Sequence, residues 1–282
     1  MSDPLLIPFP NPRMGAPELL IPDRKPVGPI ELDLSNPITK GLQGAWPFQA
    51  GDLKNYGQTP FKDAVGSNCE WKVKEGRMMY GCEDLGGQMA YIQLDDADIL
   101  PFANWDECSM FLWMVPTGQT STSCTLVGDR YNTSGDYFIW NVDNGSGVTG
   151  DNGANNQYGY NLNPGIDIPD TGYLNWPLRL KAFGFSCAPF GEAGGYRWFY
   201  DGKIESYQTN GVNTGGHGGT TNQTNLLQGR IDRTLYGFVE LVLMWDRRLT
   251  DAECYAISRD PWSVFKPIKL EAHPAKLSAH PK

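Results

Sequence analysis

Tyr236-Gly237-Phe238-Val239-Glu240-Leu241-Val242-Leu243-Met244-Trp245 runs directly into Asp246-Arg247-Arg248-Leu249-Thr250-Asp251-Ala252-Glu253. The first stretch is β-branched, aromatic and aliphatic almost throughout, which marks a strand. The second ends in a capping box: Thr250 is placed to bond the amide of the third helical residue, and Glu253 to reach back. Pro261 cannot continue a helix, so the helix stops within about three turns. A long strand followed by one short helix is the reading.

The same strand texture extends upstream. Leu42–Phe48 opens it, and Gln88–Leu94 alternates. Cys108–Val115 is apolar on both parities, which predicts a central strand buried on both faces. Thr125–Gly128, Tyr137–Val142 and Leu178–Phe185 follow. Gly195–Tyr200 and Lys203–Gln208 flank Asp201-Gly202, a pair suited to the type I′ turn of a hairpin. No helix falls between strands to make parallel crossovers, so α/β folds are excluded. The class is an all-β sandwich or jelly roll of antiparallel sheets with one short C-terminal helix.

Composition agrees and removes other classes. The 33 glycines and 21 prolines, 54 together in 282 residues, describe a loop-rich folded chain. Aromatics at 12% can build a sizeable core. A net charge of −9 argues against a nucleic-acid surface, because phosphate binding needs clustered Lys and Arg. The longest apolar runs, Met110–Val115 and Leu241–Trp245, fall far short of the ~18 residues a membrane helix needs. The opening MSDPLLIPFPNPRMG has no basic region and no continuous apolar stretch, so it does not read as a secretory signal. The six cysteines form no metal-ligating pattern. Buried free thiols in a reducing cytosol are expected, with Cys69–Cys82, across a hairpin, the pair to watch for oxidation.

Nine of the 21 prolines fall in the first 37 residues, so residues 1–40 read as an extended arm. The arm carries Leu5, Leu6, Ile7, Phe9, Leu19, Leu20 and Ile21, apolar anchors that a plain spacer would not need. Residues 41–262 form the domain. Residues 263–282, with four Lys against one Glu and three prolines, read as a second extended, basic tail. Two Asn/Gly/Thr-rich stretches, 143–176 and 209–225, show no period, and long loops of this kind are often functional.

Catalytic chemistry finds little support. The three histidines, His217, His273 and His280, lie in a glycine-rich loop and in the tail. A nucleophilic apparatus needs a histidine held by packed neighbours. Paired carboxylates on one strand face would suit glycoside cleavage, but the nearest match, Glu31-Leu32-Asp33-Leu34-Ser35-Asn36, ends in Asn and lies in the arm. Asp95-Asp96-Ala97-Asp98 reads as a solvated turn. Tyr158, Tyr160, Tyr173 and Trp176 alternate with Asn, Asp and Gly, a mixture suited to stacking on a sugar and bonding its hydroxyls. They serve equally to pin a long loop to the sandwich.

The segment Gly237–Glu253 resembles the closing strand and helix of concanavalin A-like, laminin G-like jelly rolls, whose form is G-x-[IV]-[DE]-E-[VL]-x-[IV]-[YW]-[DN]-R-[AR]-L-[ST]-x-x-E. Gly41-Leu42-Gln43-Gly44-Ala45-Trp46-Pro47-Phe48 and Trp198-Phe199-Tyr200-Asp201-Gly202-Lys203 are similar to the same family. The resemblance spans roughly residues 41–262. It implies the fold more than the function, because this fold serves lectins, adhesion modules, enzymes and structural proteins alike. Asn36-Pro37-Ile38-Thr39-Lys40-Gly41-Leu42 and Asp260-Pro261-Trp262-Ser263-Val264-Phe265-Lys266-Pro267 are similar to the borders of such domains in tailed-phage virion proteins. The family's Ca²⁺ loop has its counterpart in Asp63-Ala64-Val65-Gly66-Ser67-Asn68. Asp63, Asn68 and Glu240 are therefore the implied ligands, although Val239 stands where the family often has Asp.

The resulting expectation is a non-enzymatic phage virion structural protein, a capsid-decorating or tail-fibre component made in the host cytoplasm. It requires no cofactor, with Ca²⁺ an implied extra. Its partners would be capsid or tail proteins gripped by the N-terminal arm, further copies of itself in a homo-oligomer, and a surface glycan; nucleic acid and membrane are excluded. The alternative is a free carbohydrate-binding module or a glycoside hydrolase of the same fold.

Overall fold

Cys108–Val115 and Leu235–Trp245 are apolar at odd and even positions alike, and strands of that kind must be covered on both faces. The computed structural model describes residues 25–26, 28–49, 51–58, 61–83, 90–94, 107–119, 123–128, 138–143, 158–162, 180–187, 196–200, 203–208, 225–230 and 233–268. In chain order these form β1 (Ile30–Leu32), β2 (Leu42–Trp46), β3 (Val65–Ser67), β4 (Glu70–Lys74), β5 (Arg77–Cys82) and β6 (Tyr91–Gln93). Then come β7 (Cys108–Gln119), β8 (Ser123–Gly128), β9 (Phe138–Asp143), β10 (Tyr158–Leu162), β11 (Lys181–Cys187) and β12 (Tyr196–Tyr200). The series closes with β13 (Lys203–Gln208), β14 (Asn225–Leu226), β15 (Gln228–Arg230), β16 (Arg233–Trp245), α1 (Asp251–Arg259) and β17 (Phe265–Pro267).

The central sheet runs β13-β12-β11-β7-β16, with β2 and the β4–β5 hairpin lying end to end along the far side of β16. A second sheet runs β10-β9-β8-β14-β6-β3, and the start of β16 bridges to it at Thr234↔Thr125. Among the described residues the ladders are antiparallel except β9·β10 and that single bridge. The result is the all-β sandwich that the sequence predicts, with α1 as its one described α-helix.

Alternation along β7 and β16 divides their side chains between two cores. Met110, Leu112, Met114, Val242 and Met244 join Trp46, Ile92 and Leu226 between the sheets. Phe111, Trp113, Leu241, Leu243 and Trp245 face the other way, against Ile30, Ile257, Trp262 and Phe265. That second cover is supplied by α1 and by a two-stranded ribbon in which β1 pairs antiparallel with β17. Residues 25–26, 28–40 and 263–268, drawn from the sequence as parts of the arm and the tail, therefore pack on the sandwich.

The two ends of the body interlock through hydrogen bonds. Asp33 N–H donates to Val264 O at 2.8 Å, Asn36 Nδ2 to Ser263 O at 2.9 Å, and Ile268 N–H to Pro29 O at 3.0 Å. Arg247 Nε donates to Lys40 O at 2.6 Å, while its two terminal nitrogens hold both Glu253 oxygens at 3.0 and 2.7 Å. Glu253 in turn accepts from Thr250 N–H, and Thr250 Oγ1 accepts from Glu253 N–H, completing the capping box. Trp245 Nε1 donates to Ile38 O at 2.7 Å. Gly41 takes a φ of 76°, and a side chain there would meet the Asp246 carboxylate and the Arg247 stem. The sequence motif around Trp245–Glu253 is thus a socket for the chain between Ile38 and Gly41.

One feature departs from the sequence reading. β10 forms inside the stretch 143–176 that shows no period; its hydrogen bonds come from parallel pairing with β9, a tertiary contact. The β4–β5 hairpin, which turns at Glu75-Gly76, both with positive φ, is the one the sequence reading set between Cys69 and Cys82. The Asp201-Gly202 turn itself lies outside the described residues, though β12 and β13 pair as expected.

Replacing Arg247 by Lys keeps the charge but cannot bridge the Lys40 carbonyl and both Glu253 oxygens at once. Arg247→Lys should lower stability by about 2 kcal/mol, since hydrogen bonds involving charged groups contribute roughly 1.5–3 kcal/mol each and solvent discounts part of that. Urea unfolding followed by tryptophan fluorescence should show a lower midpoint with an unchanged slope.

Candidate functional site

β16 shifts register against β7 between Val239 and Leu241, so Glu240 is the extra residue of a bulge. Its side chain is wholly buried. An unpaired carboxylate there would be costly, and two cations answer it. Arg77 Nη1, at the start of β5, lies 3.1 Å from both Glu240 oxygens. Lys25 Nζ, where the N-terminal segment reaches the body, lies 3.5 Å from Glu240 Oε1. The same ammonium donates to Met78 O at 3.4 Å and sits 5.2 Å from the centre of the Trp262 ring. Burial lowers the Lys25 pKa, with the Glu240 charge opposing and the Arg77 charge assisting. The cluster joins four segments of the body: the incoming arm, the hairpin, β16 and the turn after α1.

Of the implied Ca²⁺ ligands, Glu240 is thus engaged by a guanidinium and an ammonium. Asp63 Oδ1 accepts from Asn55 N–H at 2.9 Å, and Asn55 Oδ1 itself accepts from Ala45 and Gly57 N–H. Asn68 adopts a left-handed φ of 52° ahead of β4. Among the described residues no group of three or more His, Cys, Asp or Glu side chains is placed to hold a metal. A divalent ion at Glu240 would face two fixed positive charges, so this donor set does not fit Ca²⁺.

The aromatic candidates separate into two pairs. Tyr158 and Tyr160 lie on β10, which pairs only with β9 among the described strands, and their register partners are Phe138 and Trp140. Alternating aromatics therefore occupy matching positions on two neighbouring strands at the sheet's edge. Phe138 and Trp140 were legible in the run Tyr137–Val142 as strand residues but not as partners of the loop. Tyr173 and Trp176 lie outside the described residues, as do the anchors Leu5, Leu6, Ile7, Phe9, Leu19, Leu20 and Ile21. Asp95–Asp98 and all three histidines lie outside them too. Lys25 and Arg77 were not singled out from sequence: a lysine between Arg24 and a proline, and an arginine after a turn, carry no local signal of a partner more than 160 positions away.

No protein-family model matches the chain, and no curated protein matches it. Solved structures resemble it weakly. Domain 4 of a GH43 extracellular arabinanase from Geobacillus stearothermophilus, in complex with arabinotriose, superimposes with a TM-score of 0.48 at 13% identity, covering 77% of this chain and 98% of that one. A mutant of Trypanosoma rangeli sialidase displaying trans-sialidase activity gives 0.48 at 15%, covering 78% of this chain and 33% of that one. The binding domain of Paraclostridial Mosquitocidal Protein 1 gives 0.49 at 11%, covering 78% and 52%. At these scores and identities the likenesses carry no argument about what this chain binds or does.

Removing Arg77 leaves a buried carboxylate with only the more distant ammonium. Arg77→Ala should therefore cost about 3 kcal/mol, and Lys25→Ala about 1 kcal/mol, in chemical unfolding. Chelation with EDTA should leave the melting temperature unchanged.

Proposed function

We propose that the chain is a non-enzymatic structural protein of a tailed-phage virion, a capsid-decorating or tail-fibre component held to its neighbours by two arms. The observation that supports this reading is the β1·β17 ribbon, which sets Pro29 beside Ile268. The chain therefore enters and leaves the ribbon at the same end, with residues 1–24 preceding Lys25 and residues 269–282 following Ile268. Two chain segments attached at one place can grip a common partner, one with the apolar anchors between Leu5 and Ile21 and the other with lysines. The two segments that resemble phage borders, Asn36–Leu42 and Asp260–Pro267, lie at this ribbon and are joined by the Asn36 bond to Ser263. In this reading the protein is made in the host cytoplasm, assembles as a homo-oligomer on the particle and carries its acidic sandwich outward. No metal or cofactor enters it.

A carbohydrate-binding role for the displayed sandwich is favoured by the β9·β10 register, in which Tyr158 and Tyr160 stand opposite Phe138 and Trp140. Aromatic rings and sugar faces are complementary apolar surfaces, and the Asn-rich neighbourhood offers amide partners for hydroxyls.

Because Lys25 and Ile30 belong to the body, the informative truncation removes residues 1–24. That variant should keep the full-length melting temperature yet be missing from purified particles; normal incorporation would sink the tether. On a glycan array the intact chain should retain ligands that Tyr160→Ala loses by at least tenfold, and no sugar should be released. Absence of any bound glycan would remove the carbohydrate role and leave the tether untouched.

A further inference from the structure

The β4–β5 hairpin carries a chemical pair that neither the tether nor the glycan reading uses. Its turn residues, Glu75 and Gly76, have φ values of 50° and 74°, the left-handed backbone of a type I′ turn. In such a hairpin the flanking pair, Lys74 and Arg77, exchanges both main-chain hydrogen bonds. Alternation then makes Val73↔Met78 and Trp71↔Tyr80 non-hydrogen-bonded pairs. The ladder ends at Glu70↔Gly81; continued by one position, its alternation would set Cys69 opposite Cys82 as a further non-hydrogen-bonded pair. Partners of that kind have Cα atoms about 4.5 Å apart, with side chains close on one face. A disulfide needs roughly 4.4–6.8 Å.

The side chains agree with the backbone. Cys82 lies in the apolar core between the sheets and Cys69 packs against that core, while Cys69 Sγ lies 3.3 Å from each of the Ser67 and Tyr91 carbonyls. Cys69 is half-buried and Cys82 buried, and both are reduced in this structure. The Cys82 sulfur, followed by burial, pushes the Cys69 thiol up, so little thiolate is present near neutral pH. Attack by the folded protein on an oxidant is therefore slow rather than forbidden.

We propose that Cys69 and Cys82 form an intrachain disulfide when the protein meets an oxidising thiol–disulfide couple such as glutathione. Cys69, the more accessible thiol, loses its proton and attacks oxidised glutathione, forming a mixed disulfide and releasing one glutathione thiolate. Cys82 then gives up its proton and displaces the second glutathione. The protein is oxidised by two electrons, the glutathione disulfide is reduced, and the two protons finish on two glutathione thiols. The bond closes the hairpin opposite its turn, and that hairpin supplies Arg77 and Met78 to the cluster holding Lys25 and Glu240. A chain folded in a reducing compartment would thus gain a covalent brace on that wall after leaving it.

The test uses the full chain, treated with an oxidised and reduced glutathione mixture both as native protein and during refolding, where burial does not limit the reaction. Remaining thiols are blocked in denaturant, and intact mass and non-reducing peptide maps are recorded. The expected result is the loss of two hydrogens, a linked peptide joining Cys69 to Cys82, and a melting temperature several degrees higher that dithiothreitol restores. Cys69→Ser, at the half-buried position, should abolish both the link and the shift. The proposal is overturned if Cys69 and Cys82 are both fully blocked after both treatments. It is equally overturned if the link joins Cys108 to Cys187, which face each other in the β7·β11 register, while Cys69 and Cys82 stay free.

Discussion

A sheet that is apolar on both faces has to be covered twice, and one partner sheet covers it once. That constraint organises this molecule. Phe111, Trp113, Leu243 and Trp245 are fully buried on the face away from the second sheet, and the material that buries them comes from the two ends of the body. Burying a large apolar side chain contributes about 1.5–3 kcal/mol, so this outer layer is a major part of what holds the sandwich together. The layer is assembled from segments far apart in sequence. Arg247 supplies a connection by holding the Lys40 carbonyl on one side and the helix-capping Glu253 on the other.

In the proposed tether, function and stability meet at the same place. The ribbon that covers the sheet is also where the terminal segments join, so a pull on either segment is received by β1, β17 and the interlocking bonds around Asn36 and Ser263. Lys25 adds a charged contact immediately before the ribbon, reaching Glu240 in the bulge of β16. Glu240 is thereby committed to fastening the entering chain. An acid that looks like a metal ligand in sequence serves here as the counter-charge for two cations. The difference lies in Arg77, which arrives from a hairpin distant in sequence.

How legible all this was depended on the range of the interactions involved. β7, β16 and the capped helix α1 were readable because apolar runs, capping residues and Pro261 act over a few positions. The β12–β13 pairing was readable for the same reason. β10 was not: Tyr158-Gly159-Tyr160-Asn161-Leu162 does alternate, but glycine and asparagine hide the period, and only pairing with β9 makes it a strand. The proline-rich opening read as an arm because proline fixes local geometry. Ile30 and Leu32 nevertheless join a ribbon with residues more than 230 positions away, a contact no local pattern announces. The resemblance to laminin G-like ends located the motif at Trp245–Glu253, while its reason, the socket for Ile38–Gly41, needed the structure.

Native-state hydrogen exchange on the full chain probes the central claim, that the two ends of the body close the sandwich as one unit. The reporters are the Asp33 amide bonded to Val264, the Asp246 amide bonded to Gly41, and the Trp245 indole N–H bonded to Ile38. The account predicts that all three exchange only through global unfolding, with the same free energy and denaturant dependence as amides in the β7·β16 ladder. Exchange of these three through a local opening, at free energies well below that of the central ladder, would contradict it.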